Sequence, residues 1–173
     1  TSTFTCGYGY IKWRNVTKED ELSASGDAYT SIDFPLFRTA DAYLMAAEAI
    51  LRGASGTKSE ALGYVNEVRT RAYMSGKYAK NGVRSDVSGE IGANELDLDF
   101  LLLERQKELA SELIRRTDLI RFGKYTKGNN WDWKNGVRLG EDVDDKYNLF
   151  PIPESELTNN PTLVQNDGYK VIK

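Results

Sequence analysis

"ERQKELASELIRRTDLIRFGKY", residues 104–125, sets Glu104, Glu108 and Glu112 four residues apart among arginines. At about 100° per residue, carboxylates so spaced share one face of a helix. Leu102, Leu103, Leu109, Ala110, Leu113 and Ile114 fall on the other side, so the pattern predicts one long helix from about Leu96 to about Gly123. Like charges stacked at i,i+4 repel by about 0.2–0.5 kcal/mol per pair and need cations nearby. Arg105 flanks the row, and Arg115 and Arg116 stand three and four residues after Glu112. A general acid needs an apolar pocket that keeps its proton, and arginines hold carboxyls ionised instead. Glu104, Arg105, Glu108, Glu112 and Arg115 are therefore expected to form a structural ion network, not a catalytic acid pair.

Composition narrows the field further. The chain has 173 residues, 40% hydrophobic and 28% charged, enough for one globular domain over residues 1–173. A net charge of -3 gives no broad attraction to nucleic acid or anionic lipid. There is no His, which excludes Ser-His-Asp and Cys-His triads, HExxH metalloproteases and Glu-x-x-His di-iron bundles. The single Cys6 cannot form an internal disulfide. "EDVDD", residues 141–145, lacks the spacing and Gly of an EF-hand loop, and no phosphate-binding Gly-rich loop is present, so no metal or cofactor is expected.

Residues 1–35 form a Gly-, Ser-, Thr- and Tyr-rich segment in which Tyr8, Tyr10 and Trp13 alternate with polar residues, an extended or loop pattern closed by Asp33-Phe34-Pro35. A helix pair is expected over residues 36–74. Phe37, Ala40, Tyr43, Leu44, Ala47, Ile50 and Leu51 make the first stripe, and Ala61, Val65, Val68 and Ala72 the second. Gly53 and the short turn between the helices set the pair antiparallel, like one tetratricopeptide unit. The long helix within residues 95–123 follows, then a polar loop and a Pro-rich closing segment over residues 124–173. The expected fold is mainly α, with extended loops at both ends.

Four motifs in order carry a resemblance. "ERQKELASELIRRTDLIRFG" is similar to the signature of the SusD/RagB family through Glu104, Arg105, Glu108, Leu109, Glu112, Arg115, Asp118, Leu119, Arg121 and Gly123. "FPLFRTADAYLMAAEAILRG", "VNEVRTRA" and "FPIPESELTNNPTLVQNDGY" resemble other family segments in the same order. Leu113 stands where the family usually has Gly, and Ser111 and Thr117 where bulky aromatics are common. The resemblance is to the C-terminal part of much longer proteins. It implies a non-enzymatic, surface-exposed outer-membrane lipoprotein of Bacteroidetes, whose lipid anchor would lie upstream. Such proteins capture glycans or other nutrients and cap a SusC-type TonB-dependent transporter.

"NNWDWKNG" offers residues suited to sugar binding. Trp131 and Trp133 supply faces for stacking on pyranose rings, and Asn130 and Asp132 supply hydrogen-bonding groups, all on a polar loop. The competing expectation is that the tryptophans pin the loop to the helices. Two rival functions come from other classes. A helical-repeat scaffold that binds only protein would lack a sugar site, and a glycoside hydrolase would use Glu104 with Glu108, or Asp97 with Asp99.

Overall fold

The computed structural model describes residues 12, 15, 16, 21, 32–74, 88–128 and 131–170. Cys6, Tyr8, Tyr10, Trp13 and Asn130 lie outside the described residues. The chain falls into two compact units, Thr1–Leu36 and Phe37–Lys173, divided beside Pro35. Among the described residues there are five α-helices and no β-strand: α1 (Thr39–Leu51), α2 (Lys58–Met74), α3 (Leu98–Glu108), α4 (Arg115–Arg121) and α5 (Glu154–Asn159). Two short 3-10 turns cover Lys134–Gly136 and Asp145–Asn148. No helix among the described residues is long and apolar enough to cross a membrane.

The helix pair forms because its ends are closed as firmly as its faces are apolar. At the end of α1, Gly53 takes φ 101°, and its N–H donates to the Ile50 carbonyl at 3.0 Å. The Ala54 N–H donates to the Ala49 carbonyl at 2.9 Å, which completes a Schellman cap. Four residues later the Thr57 hydroxyl accepts from the Glu60 N–H, while the Glu60 carboxylate accepts from the Thr57 N–H at 2.6 Å. This capping box starts α2 at once, so the two helices run antiparallel. Leu44 and Ala47 meet Ala61, Val65 and Val68 in the core, with Leu96 and Leu101 completing it. Each fully buried aliphatic side chain contributes about 1.5–3 kcal/mol. The stripes stop short of their expected ends: Phe37 precedes α1 and is 87% exposed, and Ala72 is exposed.

The long third helix is two helices. Asp97 caps α3, accepting from the Phe100 N–H at 2.7 Å, and α3 ends at Glu108. The chain then turns, with Ser111 at φ 65° and Leu113 at φ 63°, before α4 begins. The reason lies in what the turn brings together. In one straight helix, the 13 residues between Arg105 and Asp118 would span about 20 Å. With the turn, the Arg105 guanidinium donates to the Asp118 carboxylate at 2.8 Å. The turn also changes which residues face inward: Leu103 and Leu113 are exposed, whereas Glu104 and Glu112 are buried. A Schellman cap at Gly123 (φ 68°) closes α4, with Lys124 N–H on the Leu119 carbonyl at 2.7 Å.

Left-handed backbone costs a non-Gly residue about 1–2 kcal/mol. Because Leu113 is 87% exposed, replacing it sacrifices almost no burial. Leu113→Gly is expected to raise stability by about 0.5–1 kcal/mol, seen as a higher urea midpoint at unchanged m-value. A lower midpoint would show that Leu113 supplies packing that outweighs the strain.

Candidate functional site

The glutamate row draws cations from the start of α1 and from α2, with Lys107 of its own helix 3.8 Å from Glu104. Arg38, at the start of α1, donates Nη1 to Glu108 Oε1 at 2.9 Å and Nε to Glu112 Oε2 at 2.9 Å. Arg69 and Arg71 of α2 reach Glu104 and Glu108 respectively, each at 2.5 Å. Burial pushes the Arg38 pKa down, but hydrogen bonds to Glu112 and Glu108 outweigh it and leave it raised. Arg115, placed in this network by its spacing, instead donates to the Leu102 carbonyl oxygen at 3.0 Å. The break between α3 and α4 has turned it out of the row, and burial lowers its pKa against the opposing pull of Asp118.

A second chain of charges alternates in sign across α1, α3 and α4. Arg105, 2% exposed, sits between Asp118 at 2.8 Å and Asp41 at 2.9 Å. The contact with Asp41 is close but poorly aligned, so it is an ion pair more than a hydrogen bond. Arg121 bridges Asp118 at 2.8 Å to Glu48, which it grips through Nε at 2.8 Å and Nη2 at 2.7 Å. Arg52 closes the chain on Glu48 Oε1 at 2.8 Å, and both Arg52 and Arg121 lie over the Phe122 ring. Burial would raise the Glu48 carboxyl pKa, yet the hydrogen bonds from Arg121 and Arg52 hold it below its ordinary value. The carboxyls a hydrolase would use are committed as well. Asp97 caps α3, Asp99 pairs with Lys124, and Glu104 and Glu108 carry arginines.

The tryptophan loop is braced from α4. The Arg116 guanidinium lies 4.1 Å from the Phe150 ring centroid and 4.9 Å from that of Tyr125, and it donates to the Tyr147 carbonyl at 2.8 Å. Tyr125 meets Trp131 at 6.0 Å between centroids, tilted by 37°. The Lys134 ammonium lies 5.0 Å from the Trp131 centroid and donates to the Gly128 carbonyl at 2.9 Å. Phe150, Arg116, Tyr125, Trp131 and Lys134 thus form one ladder of rings and cations, each contact contributing about 0.5–1 kcal/mol or more where water is excluded. Below it, Asp142 accepts from the Gly128 N–H at 2.6 Å and Asp145 from the Thr126 hydroxyl at 2.6 Å. These bonds use "EDVDD" to fasten loop backbone. Among the described residues no group of three or more His, Cys, Asp or Glu is placed to hold a metal.

The two tryptophans therefore differ. Trp131 is part of the brace, whereas Trp133 is 65% exposed at φ 64° and ψ 11°, beside the exposed Asp132. Asn135, at φ 57°, donates to Glu141 at 2.6 Å. An open groove of about 590 Å³ lies between the second 3-10 turn and the closing segment, lined by groups including Asp144, Lys146, Gln165 and Asn166 but by no aromatic ring. Trp133 and Phe150, 65% and 71% exposed, are the most exposed rings of the loop and closing segment among the described residues. Sequence reasoning missed Arg116, Tyr125 and Lys134 as members of this brace, because no local periodicity in a polar loop marks them.

Scaffold and loop together spend charge inside on architecture and leave Trp133 largely exposed. The model of the SusD family matches residues 1–169, and the chain belongs to that family. It is 39% identical over 170 residues, 98% of its length and 27% of the relative's, to the starch-binding protein SusD of Bacteroides thetaiotaomicron. It is 30% identical over 151 residues to the SusD-like protein P2 of Formosa agariphila, covering 86% of the chain and 28% of the relative. Among solved structures it resembles surface glycan-binding protein A from Bacteroides thetaiotaomicron in complex with laminarihexaose. That match has a TM-score of 0.58 and 28% identity over 86% of this chain and 27% of that one. The chain spans roughly a quarter of the length of these relatives.

Two predictions follow from the charge chain. Removing Arg105 leaves Asp41 buried without this partner, and Arg105→Ala is expected to cost about 3–5 kcal/mol in urea unfolding. A cost under about 1 kcal/mol would overturn the structural role. Glu48 has a lowered folded pKa, so its pairing stabilises above the unfolded value of 4.5 and is lost as pH falls through the folded value. Glu48→Gln should be less stable than wild type by about 1.5–3 kcal/mol near neutral pH. That gap should close below the ordinary carboxylate range; a gap independent of pH would contradict the pairing.

Proposed function

We propose that this chain is the C-terminal part of a non-catalytic glycan-binding subunit of the SusD type. The subunit works at the outer surface of the outer membrane, anchored by lipid on its upstream part. It delivers captured oligosaccharide to a SusC-like TonB-dependent transporter that it caps. In this reading Trp133 provides the stacking face for a sugar ring, with Asp132 and Asn130 available to its hydroxyls and Trp131 as the support behind it. The observation that carries the reading is Trp133 itself: a large apolar ring, mostly exposed, held in strained left-handed backbone by a braced loop. Strain of that kind persists where the surroundings over-determine it, and it gathers at binding sites. The relatives support the choice of ligand class, since one is named for starch and another is seen with laminarihexaose.

A second reading has its own observation. Leu149, Phe150 and Val164 are 60%, 71% and 84% exposed, which suits a helical scaffold whose partners are proteins and which has no sugar site of its own.

The deciding experiment is affinity electrophoresis and calorimetry of the 173-residue chain against soluble α- and β-glucans. Trp133→Ala is expected to weaken binding at least about tenfold, roughly 1.4 kcal/mol, with helicity unchanged. Trp131→Ala should weaken binding and also loosen the loop. Full binding by Trp133→Ala would remove that residue from the site, and no binding by wild type to any glucan would favour the scaffold reading.

A further inference from the structure

Among the described residues, Lys134 is the one lysine among the largest fully buried side chains, 2% exposed in the middle of a polar loop. Among the described residues no carboxylate pairs with it; its ammonium rests on the Gly128 carbonyl at 2.9 Å and near the Trp131 ring at 5.0 Å. Lysine is almost never fully buried without a partner, because its charge is costly to remove from water. Its neighbours on both sides carry a second cost, with Trp133 at φ 64° and Asn135 at φ 57°. Backbone in that region is strained for a bulky side chain such as Trp133, while Asn135 tolerates it more easily. A buried cation flanked by two left-handed residues is an expensive way to build a turn. What the arrangement achieves is a difference in height: Lys134 is buried beneath the loop, Trp131 packs on it while still 41% exposed, and the Trp133 ring, 65% exposed, stands furthest out of the three.

We infer that Lys134 is a positioning residue for Trp133. It acts from beneath the loop, through Trp131 and the Gly128 carbonyl, to fix the left-handed turn that presents the ring. The inference rests on the reading of Trp133 as the sugar-stacking face, and it locates the control of that face in a side chain that never touches ligand. The geometry asks for two things at once, a hydrogen-bond donor for Gly128 and a cation for the face of Trp131. Methionine would fill the same volume and supply neither. Arginine would supply both at greater bulk.

The test uses the whole chain, with the indole N–H signals of Trp131 and Trp133 followed by NMR and assigned through Trp→Phe variants. Lys134→Met is expected to lower the heteronuclear NOE of the Trp133 indole while the melting of the helical core stays near wild type. Lys127→Met, which removes an exposed lysine of the same loop, should leave that signal unchanged. Lys134→Arg should restore at least half of the lost order. For whichever glucan the wild type binds, Lys134→Met should weaken affinity about tenfold and Lys134→Arg should recover part of it. If the wild type binds no glucan, the binding reading fails, while the Trp133 NOE still decides the positioning role. An unchanged Trp133 NOE in Lys134→Met would overturn the inference. So would a collapse of core melting, which would make Lys134 general support for the fold.

Discussion

Arg105 carries its charge where water does not reach, and the helical part of the chain is arranged around the need to neutralise it. Asp41 comes from α1 and Asp118 from α4, so the guanidinium, itself on α3, ties α4 to the helices of the apolar core. A buried cation is poor material for raw stability, since desolvation can consume what the ion pair returns. It is effective material for geometry. Only an arrangement that places both aspartates within about 3 Å is tolerable, and slipped or straightened alternatives leave an unpaired buried charge. The turn between α3 and α4, strained at Ser111 and Leu113, is the local consequence of that demand.

Three of the four segments by which the chain resembles the SusD/RagB family supply these partners. Arg38, Asp41 and Glu48 come from the first, Arg69 and Arg71 from the second, and Glu104, Arg105, Glu108, Glu112, Asp118 and Arg121 from the third. The fourth segment follows another logic. Gln165 both accepts from the Ile152 N–H at 2.8 Å and donates to the Ile152 carbonyl at 2.9 Å, and Tyr169 donates to the Leu149 carbonyl at 2.8 Å. The motif is in large part a wiring list, with acids and arginines fixed in pairs and Gly123 supplying the left-handed end of α4.

How much of this was legible follows from where the signals sit along the chain. α1 and α2 could be read because their apolar stripes, Gly53 and Thr57–Glu60 are local patterns, set by the residues that form them. The break after Glu108 could not, because Ser111 and Leu113 adopt a backbone that would ordinarily be marked by Gly or Asn. Spacing alone offered Arg115 and Arg116 to Glu112, whereas a cation that does reach it is Arg38, 74 residues away in sequence. Periodicity within one helix carries no information about such partners. The tryptophan loop was half legible. Its composition announced exposed aromatics, but only packing separates Trp131, which braces, from Trp133, which faces out, and nothing in a polar loop announces a buried Lys134.

The closing segment is held by direction where the helix pair is held by area. Gln165 and Asn166 read the backbone of Phe150 and Ile152 as a neighbouring strand would, while Leu149, Phe150 and Val164 remain largely in water. Pro151 and Pro153 deny two more amides to any competing pairing. Opening a tape fastened in this way wets little new apolar surface, so apart from the Phe150–Arg116 stack its hold rests on a few hydrogen bonds and depends weakly on denaturant. The same chain therefore carries two kinds of cohesion, one that melts cooperatively and one that unclips.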